Sequence, residues 1–305
     1  MRTDKPLVIL GGLAAGDRER VRDFVLRLGA PVYAEPLSGL REDPPIAHLT
    51  ITAGERMLAR AGIDRVIRIG NVPTLRFWRD LDESRRDLPV VSYSRLPFAG
   101  LSRGEVNSLD DLPDPTPAPW QAPGDRQLAT EINRILDDEP QSELAMVREL
   151  SRSIPHGARV YLGNSLPIRE WDLAATREPR GFTYEANRGA NGIDGQLSTF
   201  FGQSEGGREN VCVIGDLTAI YDANAPWIAP QVDAPFRIVI INNGGGRIFE
   251  RVASLARIDR KLIVNAHDYR FDHWAAMWGI ADRVTELRPD AGASRRAWER
   301  YDALW

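Results

Sequence analysis

Two clusters of polar residues have the composition of a site for a divalent cation. Asp216 follows the apolar run 211–214, and Asn243 with three glycines follows the apolar run 238–241. Carboxylate and amide oxygens are ligands that Mg²⁺ prefers, and this ion is usually held by one or two protein groups together with phosphates. A backbone carbonyl of the glycine triplet, assigned to Gly245, would add a third oxygen. The residues therefore predict a site at which Mg²⁺ or Mn²⁺ holds a diphosphate.

The two apolar runs are expected to place Asp216 and Asn243 side by side. Both runs are short, rich in β-branched residues and almost continuously hydrophobic, which is typical of parallel strands buried on both faces. The 27 positions from 216 to 243 accommodate a crossover helix, expected around 223–229, and the next strand. Both side chains would then lie at the carboxyl edge of the sheet, where α/β proteins bind ligands. Two ordinary strand-to-helix turns with polar tips would also explain the spacing.

A third polar turn follows the predicted strand 160–162. It precedes a helix that begins at Pro167 and carries Arg169. A helix amino terminus that follows a strand can bind an anion, so Ser165 and Arg169 are candidate anion ligands. The alternative is that Asn164 and Ser165 only cap the helix.

A glycine-rich loop is predicted at 187–195, after a strand at 183–186. Its glycines allow the backbone to approach a ligand closely. Arg188 can bind a carboxylate or a phosphate with two parallel hydrogen bonds. Ile193 is an apolar residue in a small polar loop, where a role in a hydrophobic core is difficult to arrange.

Four stretches in this order resemble one family of thiamine diphosphate enzymes. They are VYLGNSLPIR at 160–169, YEANRGANGIDGQLST at 184–199, GDLTAIYD at 215–222 and NNGGGRIF at 242–249. The sequence resembles the 2-succinyl-5-enolpyruvyl-6-hydroxy-3-cyclohexene-1-carboxylate synthase family of menaquinone biosynthesis. Most thiamine diphosphate enzymes are expected to carry Gly after the GD pair, whereas Leu217 is similar to this family's own pattern.

The resemblance implies a transferase that uses thiamine diphosphate and Mg²⁺ or Mn²⁺. The implied reaction decarboxylates 2-oxoglutarate and adds the succinyl-semialdehyde carbanion to isochorismate. By resemblance, Ile193 supports the cofactor in a bent conformation. Arg76 lies near a position where the family carries a basic residue that faces the substrate; alternatively, it is a solvent-exposed arginine at the start of a helix. The implied cofactor-binding residues are Asn164, Ser165, Ile193, Gly215, Asp216, Leu217, Thr218, Asn243 and Ile248. The implied metal ligands are Asp216, Asn243 and Gly245. The implied substrate-binding residues are Ser165, Arg169, Arg188, Ile248, Phe249 and Arg76.

The residue that activates the cofactor in this family is expected on a domain that no stretch of this sequence resembles. By resemblance, a glutamate on an amino-terminal pyrimidine-binding domain activates the cofactor across a dimer interface. We therefore expect a homodimer or tetramer, or a partner chain that supplies this domain, and weak cofactor binding by the chain alone. A non-catalytic relative and a different thiamine diphosphate decarboxylase or carboligase are the alternatives. The stretches GDLTAIYD and NRGANGIDG argue against the second of these.

The composition excludes several classes of function. The 305 residues are 43% hydrophobic and 27% charged with a net charge of −4, so no broad basic surface for nucleic acid or anionic lipid is indicated. No apolar segment is long enough to span a membrane. The single cysteine, Cys212, is expected to pack in the core, which favours a reduced cytoplasmic setting. The four histidines have no metal-binding spacing.

Alternating strand and helix patterns predict an α/β protein with two doubly wound parallel-sheet domains. The first is a Rossmann-like central domain at 1–111, with strands at 6–10, 32–33, 65–69 and 90–93 and helices at 17–28, 51–61 and up to about 84. A proline-rich linker is expected at 112–124. The thiamine diphosphate domain at 125–305 begins with helices at 125–136 and 142–151. Its last strand, at 284–287, lacks the preceding helix that the family leads us to expect, which leaves the closing edge of the sheet unassigned.

Overall fold

The computed structural model describes residues 4–189, 192–251, 255 and 257–305. The chain divides into two compact units. The first comprises Met1–Arg134, Arg177–Pro179 and Leu304–Trp305, and the second comprises Ile135–Thr176 and Arg180–Ala303. The division falls inside the helix that follows the proline-rich segment 112–124, so the domain limits drawn from the sequence stay a prediction.

The first unit is built on a five-stranded parallel sheet. Its elements are β1 (Pro6–Leu10), α1 (Arg18–Leu28), β2 (Val32–Ala34), α2 (Arg56–Arg60), β3 (Arg65–Ile69), α3 (Arg76–Glu83), β4 (Val90–Ser94) and β5 (Val106–Ser108). The strands are arranged in the order β2-β1-β3-β4-β5. The helix α1 ends at Gly29, which adopts φ 72° and donates its N–H to the carbonyl of Val25.

Two parts of the first unit differ from the sequence prediction. The helix expected at 51–61 is limited to α2, because Gly54 has φ 89° and interrupts the helical backbone ahead of it. The strand β5 was not predicted, since its three residues contain one apolar side chain and carry no periodic signal.

The second unit also contains a five-stranded parallel sheet. A helix that spans the division, α4 (Asp125–Asp138), is followed by α5 (Glu143–Ser153), β6 (Arg159–Leu162), α6 (Leu166–Ala174), β7 (Thr183–Glu185), α7 (Gln196–Gln203), β8 (Asn210–Gly215), α8 (Asp216–Tyr221), β9 (Phe236–Ile241), α9 (Arg260–Val264), α10 (Asp272–Met277), β10 (Val284–Leu287) and α11 (Ala291–Asp302). The strand order is β10-β9-β8-β6-β7. The predicted class, α/β with two parallel-sheet domains, is confirmed.

The strand order of the second sheet reverses between β6 and β8. From β6 the chain moves outward to β7, and then returns to the other side of β6 to form β8 and β9. The carboxyl ends of the two strands at such a reversal border the crevice in which α/β proteins bind ligands. The turn at Ser165 follows β6 and Asp216 follows β8, so both lie at this edge.

The connection from β8 to β9 is less regular than the sequence suggested. In place of one helix at 223–229, the short α8 is followed by a 3₁₀ helix at Ala225–Gln231. Pro226 and Pro230 lie in this segment and cannot donate the backbone hydrogen bonds of a continuous α-helix. The register of the sheet pairs Gly215 with Ile241, so Asp216 and Asn243 leave it at the same edge.

The closing edge of the second sheet is formed by β10, which pairs in parallel with β9. A 3₁₀ helix at Ala281–Arg283 leads directly into it, and α11, which the sequence analysis did not identify, follows it. Cys212 is fully buried in the hydrophobic core between this sheet and its helices, which confirms its predicted packing role. In the described part of the chain, no helix has both the length and the hydropathy needed to cross a bilayer.

Candidate cation and cofactor site

One cavity of the second unit brings most of the predicted site residues together. It is lined by ten of them: Ser165, Ile193, Gly215, Asp216, Leu217, Thr218, Asn243, Gly245, Ile248 and Phe249. Five further residues complete the lining: Glu143, Leu166, Pro167, Gly246 and Arg247. The cavity lies at the carboxyl edge of β6, β8 and β9, where the strand order reverses.

Asp216 is held by backbone N–H groups at the first position of α8. Its Oδ1 accepts a hydrogen bond from the N–H of Leu217 at 2.6 Å, and its Oδ2 accepts from Gly244 at 2.8 Å and Gly245 at 2.9 Å. Burial raises the pKa of this carboxyl group, and the three N–H donors oppose that rise. The donors fix the carboxylate in one orientation at the cavity wall.

The glycines after Asn243 are required by their backbone conformation. Gly244 adopts φ 78° and Gly245 adopts φ 132°, both in the region that side chains disfavour. A Cβ atom on Gly245 would lie 2.5 Å from the carbonyl oxygen of Val264. These glycines allow two successive N–H groups to point at Asp216.

The side-chain amide of Asn243 has one bonded end and one open end. Its Nδ2 donates to Oε1 of Glu143 at 2.8 Å. Its Oδ1 is buried and has no hydrogen-bond partner among the described residues. A buried carbonyl oxygen without a partner is costly, so this oxygen is suited to accept a bond from a ligand in the cavity.

The carboxyl group of Glu143, which contacts Asn243, forms a buried pair with that of Glu170. Burial raises the pKa of Glu143 to about 7, and raises that of Glu170 well above its ordinary value. The carboxyl of Glu170 lies against that of Glu143 without a hydrogen bond of regular geometry. The sequence carries no signal for this pair, because Glu143 reads only as an acidic residue in the first turn of a helix capped by Ser142.

His267 is a further neighbour of the site that the sequence analysis did not assign. Its Nε2 lies 3.3 Å from Oδ2 of Asp216, without the geometry of a hydrogen bond. Its Nδ1 accepts the N–H of Tyr269 at 3.2 Å, and its ring stacks on that of Tyr269 at 5.0 Å. The Nε2 atom of His267 therefore faces the carboxylate of Asp216.

Ser165 has a strained backbone at the junction of β6 and α6. It adopts φ 76° and ψ −130°, a region populated almost only by glycine. Its side chain makes no capping hydrogen bond, and its carbonyl accepts from Nη1 of Arg169 at 2.5 Å. Strain of this kind is concentrated at functional sites.

Asn164 and Arg188 are joined to each other and are not part of the cavity lining. Nη1 of Arg188 donates to Oδ1 of Asn164 at 2.6 Å, and Nδ2 of Asn164 donates to the carbonyl of Gly192 at 2.8 Å. These bonds connect the turn after β6 with the glycine-rich loop after β7. Two positions of that loop, Ala190 and Asn191, lie outside the described residues.

Arg76 lies in the first unit, at the start of α3. Its guanidinium pairs with Asp80 and with Glu83, each at 2.7 Å. This geometry matches that of a solvated arginine on a helix surface. Its predicted contact with substrate stays a prediction.

The donors at the cavity suit a hard cation with phosphate ligands. They are the carboxylate of Asp216, the open Oδ1 of Asn243 and the carbonyl of Gly245, whose oxygen also accepts the N–H of Arg247 at 2.8 Å. Among the residues described, no group of three or more His, Cys, Asp or Glu could hold a metal alone. A cation that takes its remaining ligands from phosphates and water does not need such a group. The residues present therefore fit Mg²⁺.

The second unit is a doubly wound α/β unit with oxygen donors at the reversal of its strand order, the edge at which α/β proteins bind ligands. No protein-family model matches the chain. Curated relatives named 2-succinyl-5-enolpyruvyl-6-hydroxy-3-cyclohexene-1-carboxylate synthase do match it. The protein from Bdellovibrio bacteriovorus is 40% identical over all of this chain and 63% of its own length. Its counterpart from Akkermansia muciniphila is 37% identical over 90% of this chain and 54% of its own length.

A third relative of the same name, from Cronobacter sakazakii, is 30% identical over 97% of this chain and 56% of its own length. The resemblance predicted from the four stretches is confirmed, and the chain is related along its whole length to this synthase family. It spans 54 to 63% of the length of the relatives described.

Proposed function

We propose that this chain binds thiamine diphosphate and a divalent cation as part of a synthase of menaquinone biosynthesis. The proposed reaction joins a succinyl-semialdehyde unit, made from 2-oxoglutarate by loss of carbon dioxide, to isochorismate. The names of the relatives support the pathway and the transferase class. The observation that carries the cofactor assignment is the buried Oδ1 of Asn243, which has no partner in the described part of the chain and belongs to a residue that shares one cavity with Asp216.

The proposed cation ligands are Asp216, Asn243 and the carbonyl of Gly245. Thiamine diphosphate, when bound, supplies the nucleophilic carbon of its thiazolium ring that decarboxylation of a 2-oxo acid requires. The chain's own groups bind and orient. The N–H groups of Gly244, Gly245 and Leu217 fix the carboxylate of Asp216, and Ile193 adds an apolar support on the cavity wall.

Both proposed substrates carry carboxylates, so arginines at the site can bind them although the chain as a whole is acidic. We propose that Ser165, Arg169 and Arg188 bind these carboxylates, and that Ile248 and Phe249 form an apolar wall of the cavity. Arg188 would act from its present position beside Asn164, which it reaches at 2.6 Å. Arg76 is a further candidate substrate ligand from the first unit.

The proposal includes a second component and a setting. Activation of the cofactor requires a pyrimidine-binding domain that contributes a glutamate, supplied within a homo-oligomer or by a partner chain. The proposed setting is the cytoplasm, where these small-molecule substrates and a reduced Cys212 are compatible.

Calorimetric titration tests the cofactor assignment directly. Thiamine diphosphate with Mg²⁺ is titrated into the chain and into its Asp216→Ala variant, and the assignment predicts measurable binding only by the former. Equal binding by both variants would remove the metal assignment. Product formation from 2-oxoglutarate and isochorismate is then measured with and without a pyrimidine-binding domain. Binding without product in either mixture would favour a non-catalytic relative.

A further inference from the structure

We infer that Glu143 is a positioning residue of the cation site, which orients the side-chain amide of Asn243 so that its oxygen is the atom offered to the cation. The inference rests on the proposed function, since it concerns the same site. Glu143 lies 100 positions before Asn243 and belongs to a different element, so the sequence alone does not connect the two residues.

The contact between the two side chains is direct and enclosed. Nδ2 of Asn243 donates to Oε1 of Glu143 at 2.8 Å, and Glu143 is only 4% exposed. Glu143 is itself fixed at the start of α5. Its backbone N–H donates to Oγ of Ser294 at 3.0 Å, and Ser142 caps the helix through the N–H of Ala145. The acceptor is therefore in place before any ligand arrives.

An asparagine amide needs such a partner because its two ends have nearly the same shape. A rotation of 180° about the last side-chain bond exchanges the oxygen with the NH₂ group. With the NH₂ group toward a cation, Asn243 would repel the ion and bring its oxygen against the carboxyl oxygen of Glu143. With Glu143 as acceptor, only the orientation with Oδ1 open satisfies the NH₂ group.

Glu143 is suited to hold Asn243 rather than to bind the cation through the same oxygen. Its Oε1 accepts the bond from Asn243, and its carboxyl group is backed by the buried Glu170. Partners that orient a metal ligand commonly affect metal affinity by about 10- to 100-fold when they are removed. The role predicted for Glu143 is of this kind.

Titration of Mn²⁺ in the presence of thiamine diphosphate, followed by electron paramagnetic resonance of the free ion, tests this role. Glu143→Gln keeps a side-chain oxygen that accepts from Asn243, and we expect its Mn²⁺ affinity to stay within about threefold of wild type. Glu143→Leu removes the acceptor, and we expect a loss of about tenfold or more. Glu149→Leu, on the exposed face of the same helix, is the matched control and should bind as wild type does.

A pair of substitutions keeps the test valid if Glu143→Leu does not fold. Asn243→Asp places a carboxylate against Glu143 and should lower both Mn²⁺ affinity and the melting temperature of the cation-free chain. Adding Glu143→Gln to Asn243→Asp supplies an NH₂ donor to the new carboxylate and should restore Mn²⁺ affinity. A role in packing alone does not predict this recovery.

The outcomes separate the inference from the proposed function. Absence of Mn²⁺ binding by wild type, or equal binding by wild type and Asp216→Ala, contradicts the proposed function. Binding by wild type but not by Asp216→Ala, together with wild-type affinity in a folded Glu143→Leu variant, overturns the inference only. An equal loss in Glu143→Gln and Glu143→Leu also overturns it, because the charge of Glu143 would then matter rather than its orientation of Asn243.

Discussion

Gly245 shows how far a single residue constrains the cation site. Its φ of 132° disfavours any side chain, and a Cβ atom would lie 2.5 Å from the carbonyl oxygen of Val264. We expect Gly245→Ala to lower the free energy of unfolding by about 2 kcal/mol or more, from strain and from this clash. It should also abolish cofactor-dependent Mg²⁺ binding, since it displaces an N–H donor to Asp216.

The control for this variant is Gly207→Ala. Gly207 also has a positive φ, 80°, but a Cβ atom there would meet nothing within 4 Å. It should cost about 1 kcal/mol, from backbone strain alone, and leave Mg²⁺ binding unchanged. Urea denaturation and calorimetry measure both quantities, and equal effects of the two variants would contradict the role assigned to Gly245.

Glu170 leads to a prediction about pH. Burial raises its pKa, so the folded chain retains a proton that the unfolded chain releases above a pH of about 4.3. The stability linked to this proton is present below that pH and is lost as pH rises toward the folded-state pKa. Glu170→Gln removes the titration, so the variant should gain stability relative to wild type as pH rises from 5 to 8.

Urea denaturation at the two pH values measures this change. Glu149→Gln is the comparison, because Glu149 lies on the exposed side of α5 with its side chain 59% accessible. Its stability difference from wild type should not vary with pH. The same difference in unfolding free energy between Glu170→Gln and wild type at pH 5 and at pH 8 would contradict the raised pKa of Glu170.

The residues of the site differ in how far the sequence could reveal them. Asp216 and Asn243 were identifiable because each directly follows an apolar run, and the position of a residue after a strand fixes its edge of the sheet. Glu143 and His267 were not, because Glu143 begins a helix 100 positions before Asn243 and His267 lies in the segment between α9 and α10, so neither follows a strand of the sheet. Their contacts, at 2.8 Å to Asn243 and 3.3 Å to Asp216, depend on packing that no local pattern encodes.

The junction between β6 and α6 carries strain that a substitution can release. Ser165 adopts φ 76° and ψ −130°, which costs a residue other than glycine about 1 to 3 kcal/mol. Ser165→Gly should therefore be more stable than Ser165→Ala by about 1 kcal/mol, after allowance for the greater freedom of glycine in the unfolded chain. Both variants lose the hydroxyl group, so their difference isolates the backbone.

Urea denaturation of the two variants measures this difference, and substrate binding separates strain from chemistry. If the hydroxyl group of Ser165 binds a substrate carboxylate, both variants should weaken that binding equally. A Ser165→Gly variant that is less stable than Ser165→Ala would show that the junction is not strained in solution.

At the scale of whole elements, the prediction was accurate where hydrophobic signals were strong and less so where they were interrupted. The central strands β8 and β9 were found because continuous β-branched runs have few other interpretations. The crossover between them was predicted as one helix, but Pro226 and Pro230 divide it. The amphipathic helix α11 was missed although Asp290 caps it, accepting the N–H of Ala293 at 2.7 Å.

At the scale of the molecule, both units have the same strand connectivity. In each sheet the first strand of the unit lies between the second and the third, so the order reverses once. Regular alternation of strands and helices was sufficient to predict this class from the sequence. It was not sufficient to predict which reversal carries the site, since that depends on the polar residues after the strands. Only the second unit has the Asp216 and Asn243 pair there.

The two units should therefore respond differently to the cofactor. Each has its own sheet and its own buried core residues. A ligand that binds only the folded form stabilises it by about 2.7 kcal/mol at 100 times its dissociation constant. We expect thiamine diphosphate with Mg²⁺ to slow amide hydrogen exchange in β8, β9 and the turns after them. Exchange in β1 and β3 should change much less, because the proposed cation ligands Asp216, Asn243 and Gly245 all belong to the second unit.

Hydrogen exchange followed by mass spectrometry, peptide by peptide, measures this contrast. Asp216→Ala supplies the reference, since exchange in both of its units should be insensitive to the cofactor. Equal protection of β1 and β8 in the wild-type chain would mean that the units open as one cooperative body. Protection confined to the first unit would contradict the location of the site, because the oxygen donors that suit the cation all lie at the carboxyl edge of the second sheet.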